Sequence, residues 1–271
     1  MWVLYLVLGG ILLYVALVSF ASLAQTKLLF PAQIASANRP NLPASAKRLE
    51  VRTPDGGHLI GVRLGPQDGS SDLKPLLLGF GGNAWNADAM ALYLHGLFPD
   101  HDVVTFHYRG YAPSSGEPSA KALLADSLSV FDHVQDGRGR RIIAVGFSIG
   151  TGVAAYLANH RPVTGMILVT PFDSLKELAK EHFAWAPVGL LLRHRMPTID
   201  LVRSRPTPTA MIVAGRDTIV PARRSELLRG AIPNLVLDRT IAEAGHNDLY
   251  GLPAFAAAMH EALARIEGAT P

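Results

Sequence analysis

The sequence predicts an α/β fold, an eight-stranded and mostly parallel sheet flanked by helices, with a small cap and an N-terminal transmembrane helix. Three observations carry that expectation. Short runs rich in β-branched residues alternate with helix-compatible segments through most of the chain, the rhythm of a parallel sheet covered on both faces. The stretch Gly146-Phe147-Ser148-Ile149-Gly150 stands between the apolar run 141–145 and the small-residue segment 151–158, so a strand turns sharply into a helix there. Residues 1–26 contain no charged side chain and match the length needed to cross a bilayer core.

The order of elements follows from these patterns. Residues 1–26 read as a membrane anchor, with Trp2, Tyr5 and Tyr14 as interfacial anchors and Lys27 ending the apolar run. A cleaved signal peptide is the competing reading, but no basic segment precedes the run and the run is long for one. Lys27, Arg39, Lys47 and Arg48 follow the span and favour a cytoplasmic catalytic domain. Residues 27–46, with Pro31, Pro40 and Pro43, read as an irregular linker. The domain then occupies 47–271, with a cap-like insertion at about 172–207. Residues 49–53 and 58–63 alternate in polarity around Asp55-Gly56-Gly57, a hairpin signal. Strands are expected at 75–80, 103–106, 141–145, 164–169, 209–213 and 235–241. Helices are expected at 87–97, 119–134, 222–229 and 249–266, besides the one that follows Ser148.

Composition narrows the function classes. A chain of 271 residues, 49% hydrophobic, has enough apolar material for one large core after the anchor is set aside. It has no cysteine, which excludes disulfides and thiolate metal sites. A net charge of +3 is modest, and no nucleic-acid-binding motif accompanies it. Phosphate-binding glycine loops are absent as well.

The residues suited to chemistry fall at strand ends. Ser148, raised on a tight turn, is a nucleophile only with a base that is itself oriented by a third group. Asp217 follows the strand at 209–213, and His246 follows the strand at 235–241, in the order Ser, Asp, His. Groups at such strand ends gather at one edge of an open sheet. His246 is therefore the expected base, since imidazole titrates near neutrality, and Asp217 the group that fixes its tautomer. Asp248, two residues from His246, reads instead as a cap of the final helix. An oxyanion hole is expected from the Ile149 N–H, at the helix start, and the Asn83 N–H in the loop 79–86. Taken singly, each has a bland alternative: a Gly/Ser turn, a turn aspartate, an incidental histidine, a flexible glycine loop.

With these motifs in place, the chain resembles the α/β-hydrolases over about residues 47–268. The carriers are Gly82-Asn83-Ala84, Tyr108-Arg109-Gly110-Tyr111, the turn at Ser148, Pro171-Phe172-Asp173-Ser174-Leu175, and the Asp217 and His246 loops. The similar branch has a membrane anchor and a small cap, and includes lysophospholipid and monoacylglycerol hydrolases, depalmitoylases and serine aminopeptidase-like proteins. Three positions depart from its pattern: Gly81 stands where His is usual, Ala112 where Gly is usual, and His107 where Asp or Asn is usual.

The resemblance implies a membrane-anchored serine hydrolase acting on carboxylic esters or thioesters of acyl lipids or acylated proteins, without metal or organic cofactor. A peptidase with the same triad is the alternative among enzymes, because a triad does not choose its leaving group. A non-catalytic binding protein on the same fold is the alternative outside them. The insertion's apolar run, from Phe183 to Leu192, could line an acyl pocket or simply pack the cap down. Its basic residues Lys176, Lys180, Arg193, Arg195, Arg203 and Arg205 suit either anionic headgroups or a solvated face. The expected partners are thus an acyl substrate and the membrane, with no nucleic acid; the sequence leaves the oligomeric state open.

Overall fold

The computed structural model describes residues 1–37, 39–67, 74–135, 137 and 139–269. Its framework is a single sheet of eight strands: β1 (Lys47–Arg52), β2 (His58–Leu64), β3 (Leu76–Phe80), β4 (Val103–Phe106), β5 (Ile142–Phe147), β6 (Gly165–Val169), β7 (Thr209–Ala214) and β8 (Leu235–Ile241). Their spatial order is β1-β2-β4-β3-β5-β6-β7-β8. β1 and β2 form an antiparallel hairpin, β2 pairs antiparallel with β4, and every later pairing is parallel.

β3, β5, β6 and β7 are buried along their whole length, which is why they read as continuous apolar runs rather than alternating ones. Successive side chains still point to opposite faces. Leu76, Leu78, Ile142 and Ala144 belong to one core; Leu77, Ile143 and Val145 belong to the other. The edge strands carry the charges, among them Lys47, Arg48 and Arg52 on β1 and Asp238 and Arg239 on β8, which discourages pairing with other chains.

The helices cover both faces. α1 (Trp2–Leu29) and α2 (Ala32–Ala37) precede the sheet. α3 (Ala87–Leu97), α4 (Ala120–Gln135) and α5 (Ile149–His160) follow β3, β4 and β5. The insertion holds α6 (Leu175–His182), α7 (Val188–Leu191) and α8 (Thr198–Arg203), after which come α9 (Ala222–Arg229) and α10 (Pro253–Gly268). The expected eight-stranded architecture is the observed one.

Three details differ from the sequence reading. The segment 249–266 is not one helix: a 3-10 turn, Leu249–Gly251, comes first, and α10 starts afresh at Pro253. Proline is pre-organised for the first helical turn and pushes the residue before it, Leu252, into extended backbone. The stretch 27–46 is not an irregular linker throughout. α1 continues to Leu29, α2 follows at once, and Phe30 and Ala35 are buried in the core, so the apolar helix joins the domain without slack. Finally, the insertion is not uniform. Its last part is pressed onto α5, where a Cβ on Gly152 would fall 2.2 Å from the Met196 sulfur. Its middle, with Phe183, Trp185 and Leu190, is exposed.

Among the described residues, one helix is long and apolar enough to cross a membrane, and it is α1. Its side chains from Trp2 to Leu17 are exposed nearly throughout.

Candidate active site

Ser148 occupies the turn between β5 and α5 with φ +50° and ψ −116°, a backbone region that side-chain-bearing residues seldom enter. Packing enforces it. A Cβ on Gly150 would lie 2.1 Å from the Phe80 carbonyl oxygen, and one on Gly146 would lie 2.5 Å from that of Gly150. Only glycine lets β3, the turn and α5 approach so closely. The Ser148 N–H donates to the Val169 carbonyl at 2.9 Å, and its own carbonyl accepts from the Thr151 N–H at 3.0 Å and the Thr151 hydroxyl at 2.6 Å. The side chain is thereby held out of the helix it caps.

His246 and Asp217 arrive from loops after β8 and β7. His246 Nε2 lies 3.1 Å from Ser148 Oγ, and His246 Nδ1 lies 2.7 Å from Asp217 Oδ2. Both partners are buried, with side-chain exposures of 8% and 2%. The other carboxylate oxygen of Asp217 accepts the N–H groups of Ile219 at 2.9 Å and Val220 at 2.7 Å. One oxygen is thus fixed by backbone and the other is aimed at the imidazole. The structure brings together the three residues expected from the sequence, contributed from positions 98 and 29 residues apart.

Asp248 does not cap a helix with its side chain. It turns back to accept the Gly245 N–H at 2.6 Å, closing the short loop that carries His246.

Ile149 is the first residue of α5, where the N–H has no acceptor within the helix. Across from it, a Cβ on Gly82 would sit 3.8 Å from Ser148 Cβ, so the loop holding Asn83 runs directly over the serine. That loop is braced by the Tyr-Arg-Gly-Tyr motif. The Tyr108 hydroxyl donates to the Gly81 carbonyl at 2.8 Å, and the Tyr111 hydroxyl donates to the Asn83 carbonyl at 2.7 Å. Burial pushes both phenols above their ordinary pKa, keeping them neutral donors. Arg109 between them binds Asp126 on α4 and Asp55 in the hairpin turn. At the loop's far end, the Asn86 side chain accepts the N–H groups of Asp88 and Ala89, capping α3.

The two departures flanking this loop have partners of their own. Gly81 leaves space that the Trp85 and Met90 side chains approach, since a Cβ there would meet them at 3.3 and 3.4 Å. His107 lies 3.3 Å from the buried carboxylate of Asp88, which also takes a two-pronged contact from Arg48 at 2.6 and 2.8 Å. Burial alone would raise the Asp88 pKa, but hydrogen bonds from His107 and Arg48 outweigh it and bring it down to about 2.

Comparison with known proteins identifies the fold family. A family profile for the alpha/beta hydrolase fold matches residues 76–187. An uncharacterised protein of Mycobacterium tuberculosis is 35% identical over 213 residues, covering 76% of this chain and 74% of its own. The lysophosphatidylserine lipase ABHD12 of Bos taurus is 34% identical over 137 residues, covering 47% of this chain and 33% of that protein. The chain belongs to the α/β-hydrolase superfamily. Solved α/β-hydrolase structures agree in fold. An esterase of Pyrococcus furiosus superposes with a TM-score of 0.67 at 20% identity, covering 85% of this chain and 96% of its own. An α/β-hydrolase of Vibrio vulnificus also gives 0.67, at 18% identity, covering 88% and 92%.

Two residues around this α/β-hydrolase site escaped the sequence reading. Thr170, directly after β6, has φ +48°, an outlier for a β-branched residue. Tyr250, in the turn after the His246 loop, is near enough to Asp217 to feel its charge. Burial chiefly, with that charge adding to it, raises the Tyr250 pKa and keeps the phenol neutral. Tyr250 also packs on Trp85 and Phe147, so an aromatic floor links the Asp217 side of the site to the Asn83 side. Neither residue stands in a motif, and only folding brings them to the site.

Proposed function

We propose that this α/β-hydrolase is a membrane-anchored serine hydrolase that cleaves carboxylic ester or thioester bonds of acyl lipids or acylated proteins. The observation that carries the reading is the continuous polar line Ser148 Oγ–His246 Nε2 at 3.1 Å and His246 Nδ1–Asp217 Oδ2 at 2.7 Å. With its proton on Nδ1, His246 presents a free Nε2 lone pair to the serine. It takes the Oγ proton as Oγ attacks the carbonyl carbon, and Asp217 stabilises the imidazolium that forms. The carbonyl oxygen becomes an oxyanion, received by the N–H groups of Ile149 and Asn83. Collapse expels the alcohol or thiol, which leaves with the proton from His246, and the acyl group stays on Ser148. Water then enters, gives its proton to His246 and attacks the acyl-enzyme; the same groups release the acid and restore the serine.

The lipase and esterase among the similar proteins support an ester-cleaving reaction, and α1 supports delivery to lipid. The cationic Lys27, in the last turn of α1, and Arg39, Lys47 and Arg48 beyond it favour a cytoplasmic domain. The test is labelling by a fluorophosphonate, with turnover of p-nitrophenyl esters of graded chain length in the same preparation. Labelling and turnover are expected in the wild type and lost in Ser148→Ala. Folded wild-type protein that takes no label overturns the reading.

A further inference from the structure

The apolar helix does more than end at the domain. Its last turns lie against the exposed middle of the cap, and the two do not close fully on each other. A cavity of about 160 Å³ remains between them. Val18, Ala21 and Leu28 of α1 form one wall; Phe183, Val188 and Leu191 of the cap form the other. A space of this size, lined by apolar side chains, is in the range that holds a small apolar group instead of water.

Polar contacts fix the two walls at this spacing. Gln25, the buried residue of α1, donates through Nε2 to the Leu191 carbonyl at 3.2 Å and accepts the Arg193 N–H at 2.8 Å. Thr26 Oγ1 lies 2.8 Å from His194 Nε2, and the Tyr14 hydroxyl donates to the Trp185 carbonyl at 3.0 Å. Each wall is also joined to a loop of the catalytic site. On the cap side, His182 Nε2 donates to the Ile219 carbonyl at 2.7 Å, within the turn that holds Asp217. On the anchor side, α1 passes through Phe30 into α2, whose Ala35 carbonyl accepts from Asn86 Nδ2 at 3.0 Å, at the end of the loop that carries Asn83.

The position along α1 decides the occupant. Residues 2–21 alone extend about 30 Å, the thickness of a bilayer's hydrocarbon core. The cavity, beside residues 18–29, therefore lies at the domain end of that span, with Val18 and Ala21 within it and Tyr14, deeper still, already bonded to the cap. Exposed Lys27, Arg193 and Arg195 mark the same level, as basic residues do at a lipid boundary.

We infer that the groove between α1 and the cap is the binding site for a single acyl chain, taken from the membrane while its ester carbonyl reaches Ser148. The anchor is then one wall of the substrate site, and the enzyme selects amphiphiles by chain length. This inference rests on the proposed serine-hydrolase reading.

One experiment separates the two. The full chain in detergent is treated with an alkyl fluorophosphonate bearing a diazirine at the end of a ten-carbon chain, irradiated, and mapped by mass spectrometry. Phosphonylation of Ser148 with cross-links confined to residues 18–29 and 179–192 is the expected result. Ala21→Trp, which fills the groove from the helix side, lowers the cross-link yield there about tenfold, the loss of roughly two buried methylenes. Ala186→Trp enters the same space from the cap and serves if the first variant does not fold. The same substitutions lower the ratio of kcat/KM for decanoyl over butanoyl esters about tenfold. Phosphonylated Ser148 with cross-links elsewhere, or an unchanged chain-length ratio, overturns the groove. Failure of Ser148 to react overturns the hydrolase reading instead.

Discussion

The site at the strand ends and the joint between α1 and the cap are built in opposite ways. Around Ser148 short-range contacts to the backbone hold the turn and loops that carry the site residues, with Val169 as the one longer reach. Asp217 takes the N–H groups of Ile219 and Val220, the His246 loop is closed by Asp248 onto Gly245, and Ser148 is locked by Val169 and Thr151. At the α1–cap joint the contacts cross more than 160 residues of sequence, are few, and surround a void. Short-range ties hold distances to tenths of an ångström, as chemistry demands. A sparsely tied apolar joint holds a shape while leaving space that an apolar guest can fill. Rigidity and vacancy are divided between two regions.

The sharpest way to break this contrast is at the tightest distance. Asp217→Asn keeps the shape but offers His246 Nδ1 an amide, which can favour the wrong tautomer. Its kcat on a short ester is expected to fall by about 10⁴-fold with little change in thermal stability. A loss under tenfold would remove Asp217 from the relay. Next comes Gly150→Ala, whose new Cβ meets the Phe80 carbonyl at 2.1 Å. Because the obstacle is backbone, the expected cost is about 3–5 kcal/mol, read as a lowered denaturation midpoint.

Smaller again is the ion cluster under the Asn83 loop. The Asp88 carboxyl is held down to about 2 in the folded chain against 3.8 for an ordinary aspartate. Its charged form is the one that folding favours, so its contribution is present above pH 4 and fades as the pH falls toward 2. The amount at neutral pH is about 2 kcal/mol. Acid titration of stability for wild type and Asp88→Asn should show curves that converge by pH 2; parallel curves would mean that the carboxylate adds nothing. The smallest effect belongs to the joint. Gln25→Ala removes the link to Leu191 and Arg193 at a cost of about 1 kcal/mol. Hydrogen exchange should then rise in the cap around residues 183–193, with the Ser148 turn unmoved. Equal loosening of both regions would show that they are one cooperative unit.

The difference in construction also explains what could be read in advance. The central strands were legible because parallel strands buried on both faces are unbroken apolar runs, and β1 and β2 because their polarity alternates around a turn. The three residues that the fold brings together were legible because each sits on a loop after a strand: Ser148 after β5, Asp217 after β7, His246 after β8. Local pattern placed them at one edge of the sheet before any contact was known. The break at Leu252 was hidden because the helical pattern runs straight across it, and only the conformational limits of Pro253 interrupt it. The buried tether was misread for a related reason. Phe30 and Ala35 lie among prolines and small residues, which locally suggest a loose segment.

The sequence by itself determined the fold class, the polarity of the sheet, and the order and type of the three site residues. It could do so because period, strand length and turn chemistry act over a few residues. Tertiary structure alone decided that Tyr250 comes within reach of the Asp217 charge, that Tyr108 and Tyr111 brace the loop over the serine, and that α1 stands against the cap across a groove. Those relations are made by side chains that meet across tens to hundreds of residues. No local pattern encodes such a meeting; it exists only after the backbone has closed.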